Sequence, residues 1–154
     1  MPRAGALAYA LWLLERRLRT EHELREKLLL HKYEQSEISE VIAKLKEKKL
    51  IDDEQYARHY VLDKSEFARR GRYRISLELK KKGISKEVID KAVAEIDPDV
   101  ELEAARSLLK GKERLWGEMD PQKKYQKAMG LLSRRGFSVG MIKEVTKNWA
   151  RSDN

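Results

Sequence analysis

Apolar residues along this chain of 154 recur at i, i+3, i+4 and i+7 and do not alternate, so the helical period dominates and no segment reads as a strand. The stripe also repeats. Setting KKKGISKEVIDKAV (residues 80–93) against SRRGFSVGMIKEVT (133–146) places Leu79 on Leu132, Gly83 on Gly136, Ser85 on Ser138 and Ile89 on Ile142, an offset of 53. A third copy lies upstream at an offset of 51, with Leu28 for Leu79 and Ile38 for Ile89. The closing helices share one stripe: Ile38, Val41, Ile42, Leu45, then Ile89, Ala92, Val93, Ile96, then Ile142, Val145, Thr146, Trp149. The opening helices match as Ala10-Leu13-Leu14, Ala57-Tyr60-Val61 and Ala105-Leu108-Leu109. The pattern predicts an all-α chain of tandem three-helix repeats, with units at 1–51, 52–97 and 98–154 and about nine helices. Such units stack on their neighbours into an elongated, curved array.

Punctuation fits these elements. Thr20 and Glu23 predict a capping box at the second helix, the acid returning to the cap's amide. Ser36, Ser85 and Ser138 are placed to cap the closing helices, and Asp52-Asp53 the fourth helix. Asp97-Pro98 and Asp120-Pro121 each set an acidic cap before a proline in the first turn. Gly83 and Gly136 fall where helices end, at the position that takes a left-handed backbone. Lys32 stands where the first copy would have its glycine, so that turn is expected to close differently. Tyr56, Tyr60 and Phe67 are expected to fill the first helix of unit two. The stretch from Gly111 to Asp120, with Trp116, reads as a surface excursion.

Composition narrows the chemistry. With no cysteine, disulfides, thiolate metal sites and cysteine nucleophiles are excluded. The longest apolar run, Ala4 to Leu14, has 11 residues and leads into Glu15-Arg16-Arg17; it is too short to span a bilayer and has no cleavage site, so a cytoplasmic protein is expected. His22, His31 and His59 lie in separate helices, without the spacing of a metal site. Gly111-Lys112 fails as a phosphate loop, because Arg106 occupies the first glycine position and Glu113 follows the lysine. No nucleophile–base pair presents itself. A non-enzyme without metal or cofactor is expected.

Charge adds what hydropathy cannot. The formal net charge is +8, which favours an anionic partner. Between Arg69 and Lys86 stand Arg69, Arg70, Arg72, Arg74, Lys80, Lys81, Lys82 and Lys86 against one acid, Glu78, with Tyr73 among them. A second concentration, Lys123, Lys124, Lys127, Arg134 and Arg135, occupies the equivalent helix of unit three around Tyr125. Cations at equivalent places in successive units suit a long polyanion or a periodic partner, and phosphate contacts of this kind carry no sequence information.

The motifs also resemble a family. Leu50-Ile51-Asp52-Asp53-Glu54-Gln55-Tyr56-Ala57, then Tyr60-Val61, are followed by Arg70-Gly71-Arg72-Tyr73-Arg74-Ile75 and, through Leu79, by Lys82-Gly83-Ile84-Ser85. With Leu14, Arg17, Thr20, Glu23-Leu24 and Lys27-Leu28 upstream, this order resembles RecX, the bacterial regulators of the RecA recombinase, from about Leu7 to Trp149. The resemblance implies a monomer that binds the RecA nucleoprotein filament and inhibits its ATPase, strand exchange and growth, with single- or double-stranded DNA as a weak auxiliary partner. It implies no catalytic residues. Arg70, Arg72, Arg74, Lys80, Lys81 and Lys82 are the first expected contacts, and charge reversal of Arg70, Arg72 and Arg74 is expected to weaken binding without loss of helix. The competing readings are a helix-turn-helix DNA-binding regulator and a helical scaffold that binds only protein.

Overall fold

A computed structural model describes residues 5–147 and contains ten α-helices and no strand among them. Unit one is α1 (Ala6–Arg16), α2 (Glu21–Leu30) and α3 (Gln35–Glu47). Unit two is α4 (Asp53–Leu62), prolonged by a π-helical turn (Asp63–Phe67), then α5 (Arg72–Lys81) and α6 (Lys86–Ala94). Unit three is α7 (Pro98–Lys110), the single turn α8 (Glu113–Trp116), α9 (Pro121–Arg134) and α10 (Val139–Thr146). None of these helices is long and apolar enough to cross a membrane.

The stripes read from the sequence become three separate cores. Ala10, Ala57 and Ala105 are each 0% exposed, as are Leu28, Leu79 and Leu132. Each set belongs one apiece to three clusters that share no residue. The alanines let each opening helix approach its partners closely, and the leucines fill the space beneath. Truncating any of these leucines to alanine costs about 2–5 kcal/mol. Because the three cores share no residue, the units follow one another in series and do not merge into one core.

Most caps form as expected. Thr20, Asp52, Ser85 and Ser138 accept from the amides of Glu23, Gln55, Val88 and Met141, and Asp97 from that of Asp99. Ser36 does not cap: α3 begins two residues earlier than that cap would set it, at Gln35, after an extended Glu34 whose side chain makes no cap bond. Asp120 precedes Pro121 as read, but its side chain makes no cap bond either. The capping box at Thr20 is only half made, since Glu23 reaches Lys82 of unit two instead.

The turn at Lys32 closes as the glycine turns do, contrary to expectation. Its φ is 64°, beside 81° at Gly83 and 93° at Gly136. In all three turns the next residue's amide reaches back to the buried leucine's carbonyl: Tyr33 to Leu28, Ile84 to Leu79, Phe137 to Leu132. Tyr33, Ile84 and Phe137 then bury themselves, the apolar contact that accompanies this helix end. The expected excursion at 111–120 is also corrected: α8 folds within it and sets Trp116, 8% exposed, into the third core. Phe67 lies on the π turn and is 78% exposed, so it fills nothing, while Tyr56 and Tyr60 do pack on the second core. Trp149 lies outside the described residues.

Candidate interface and the joints that position it

Helix α2 meets α5, and α5 meets α9, each time amide end to carbonyl end. At the first joint the Thr20 hydroxyl donates to the Lys82 carbonyl at 2.7 Å, and His22 lies over Gly83 so closely that a Cβ there would be 2.2 Å from its own. At the second, the Gly71 amide donates to Arg135 O at 2.7 Å and the Tyr73 amide to Gly136 O at 3.1 Å. Amides at a helix start and carbonyls at a helix end have no partner within their own helix. At the second joint the two sets satisfy one another directly; at the first the cap hydroxyl of Thr20 stands between them, accepting the Glu23 amide and donating to the Lys82 carbonyl.

A carboxylate completes each joint at an equivalent place. Asp53, in the first turn of α4, accepts the Glu21 amide of α2 at 3.0 Å. Glu101, in the first turn of α7, accepts the Arg72 amide of α5 at 2.8 Å, and its other oxygen takes Arg72 Nε at 3.1 Å. Asp52 and Asp53 thus divide their work: one caps its own helix, the other a helix of the preceding unit. Glu101 is 3% exposed and was not singled out from the sequence. Its signal was there, a carboxylate in step with Ala104, Ala105 and Leu108 on an otherwise apolar stripe.

The joints set the charge states around them. Burial raises the Asp53 carboxyl above its usual range, and the neighbouring Glu21 and Asp52 carboxylates add to the rise. Burial works the same way on Glu21, but hydrogen bonds from Lys46 and Arg25 outweigh it and hold that carboxyl low. Burial disfavours the Lys82 ammonium too, yet Tyr56 and Glu23 more than compensate and raise it. Within unit two Glu78 gathers three donors: the Tyr60 hydroxyl, Arg70 Nη1 at 2.6 Å and Arg74 Nε at 3.2 Å. Burial and the bond to Glu78 push the Tyr60 hydroxyl well above an ordinary tyrosine.

Much of the expected binding set is therefore tied inward. Arg70 and Arg74 are held by Glu78, Arg72 by Glu101 and Lys82 by Glu23. Arg135 reaches the Ala68 carbonyl and Arg74 the Arg134 carbonyl. Lys124 is half-buried and engaged. Arg69, at φ 52°, Lys80, Lys81, Lys123, Lys127 and Arg134 are exposed. Charge reversal of Arg70, Arg72 and Arg74 would break structural ties, so it does not isolate binding as the sequence had led us to expect. His22 and His31 are not on separate helices as expected but at opposite ends of α2, and the histidines form no cluster: His22 pairs with Glu26 and His31 stands edge-on to Tyr9.

Three-helix units of this kind, chained through helix ends, define an all-α helical-repeat protein. Family models for the first, second and third three-helix domains of RecX match residues 6–45, 52–93 and 99–146. The chain belongs to the RecX family. Regulatory protein RecX of Mycobacterium sp. (strain JLS) is 35% identical over 144 residues, covering 91% of this chain and 79% of that protein. The Mycolicibacterium smegmatis protein of the same name is 36% identical over 137 residues, covering 86% and 73%. The crystal structure of RecX from Lactobacillus salivarius superposes with a TM-score of 0.87 at 27% identity, covering 95% of each chain.

Proposed function

We propose that this chain, acting as a cytoplasmic monomer, binds the RecA nucleoprotein filament and inhibits its ATPase, strand exchange and growth during recombination and repair. The observation that carries the reading is the repeated joint. It fixes three similar units in series, a form suited to a partner that is itself periodic. Several weak contacts on such a series reinforce one another through effective concentration. Inhibition then follows by linkage, provided the array binds one filament state more tightly than another. The exposed cations, Arg69, Lys80, Lys81, Lys123, Lys127 and Arg134, are the contacts proposed for acidic protein surface and for DNA phosphates. Titrating the chain into RecA on single-stranded DNA, while following ATP hydrolysis and filament length, tests the proposal. Both are expected to fall; a stoichiometric excess that changes neither refutes it.

The helix-turn-helix reading is weaker. A recognition helix presents its first residues to base edges, but the start of α5 is engaged by α9, and the exposed face of α6 sets Glu87, Asp90 and Glu95 beside Lys86 and Lys91.

A further inference from the structure

The two basic helices differ in a way that net charge hides. In the repeat register Arg70 corresponds to Lys123, Arg74 to Lys127 and Lys81 to Arg134, while Glu78, which neutralises the two arginines, corresponds to Leu131. Unit three keeps the cations and lacks their acid. Between α8 and α9 they line an open groove of about 730 Å³, together with Lys112, Trp116 and Gly130, and its lining includes no carboxylate. Gly130 takes the place of Leu77, and the Arg134 guanidinium lies 3.1 Å from where its Cβ would be, so the missing side chain lets Arg134 lie along the groove. From Lys123 to Arg134 is about 16 Å of helix at 1.5 Å per residue, room for several phosphates.

We infer that this groove is the chain's phosphate-binding site and takes the sugar–phosphate backbone of a single nucleic-acid strand. The inference rests on the nucleic-acid contact proposed above and gives it a place. An acidic protein segment fits less well, because protein interfaces draw most of their energy from buried aromatic and apolar anchors. Here Trp116 is sunk in the core and Leu131 is half-buried. Point charges without exposed stacking rings give sequence-independent, salt-dependent backbone binding.

The test measures fluorescence anisotropy of a labelled oligothymidylate, without recombinase, against the full chain and three variants. These are Lys123→Gln/Lys127→Gln/Arg134→Gln, Lys80→Gln/Lys81→Gln, and a distant control, Lys48→Gln/Lys91→Gln; circular dichroism checks folding. The groove variant is expected to bind at least tenfold more weakly, its salt slope falling by about 2 for three contacts to a single strand. The control is expected to bind as the unmodified chain does. Unchanged affinity in the groove variant, an equal loss in the Lys80/Lys81 variant, or polyglutamate competing as well as unlabelled oligothymidylate each overturns the assignment. Inhibition of RecA ATPase is scored separately, so failure of the groove leaves the regulatory proposal standing, and the reverse holds too.

Discussion

A Cβ on Gly71 would lie 2.4 Å from the carbonyl carbon of Gly136, a residue of the next unit. Contacts that short to backbone cannot be relieved by a rotamer change. The two glycines are therefore a matched pair, one opening α5 and one closing α9, and their missing side chains let the helix ends exchange hydrogen bonds. Gly136→Ala is expected to destabilise by about 2–4 kcal/mol, from left-handed backbone strain and overpacking together. Urea unfolding checks the loss. Hydrogen exchange should show the Gly71 and Tyr73 amides exposed before the core of unit two opens. Wild-type protection at those amides would disprove the joint.

Lys32 supplies the opposite case. It holds the same left-handed turn but is exposed, and among the described residues no helix start docks on it. Lys32→Gly is expected to stabilise by up to about 1 kcal/mol, relief of backbone strain exceeding the added freedom of the unfolded chain. A lowered Tm would contradict this.

Glu78 holds one phenol and two guanidinium groups at once. Glu78→Ala should cost about 1–3 kcal/mol, because it leaves two part-buried guanidinium groups and a phenol without their acceptor. Adding Arg70→Met/Arg74→Leu to that variant should restore part of the stability, a recovery that a purely volumetric effect would not give.

Asp53 and Glu21 titrate in opposite senses at one joint. The raised Asp53 carboxyl contributes stability that is fully present below its unfolded value and lost as pH rises through its folded one; the depressed Glu21 contributes above its unfolded value and loses as pH falls. Asparagine keeps the oxygen that accepts the Glu21 amide. Asp53→Asn is therefore expected to be more stable than the unmodified chain near pH 7 and to lose that advantage below about pH 4, the ordinary carboxylate range. Denaturant midpoints across pH 3–7 decide it; an advantage that grows as pH falls would reverse the assignment.

What could be read from the chain was local. Leu28, Leu79 and Leu132 announce their burial by periodicity, and Ser85 and Ser138 announce their caps by position. Ser36 misled because the cap preference is a property of one residue, while α3 starts where the turn after Lys32 delivers the chain, at Gln35. Trp116 misled because a loop of unusual length was taken for exposed, although the third core had room for an indole. The arginines were harder. Their charge was plain, but that Glu78 and Glu101 claim three of them depends on which helices meet, and no window of sequence holds Arg72 and Glu101 together. The joint was spelled out twice, at Gly83 and Gly136, yet only the local half of each glycine's role, ending a helix, was legible.

Both junctions run the same way, the amide end of α2 on the carbonyl end of α5 and the amide end of α5 on the carbonyl end of α9, so the series is a vector. A body with such a heading cannot lie on a directional polymer equally well both ways round. Wherever this chain settles along a fibre, its leading unit should always be the same one.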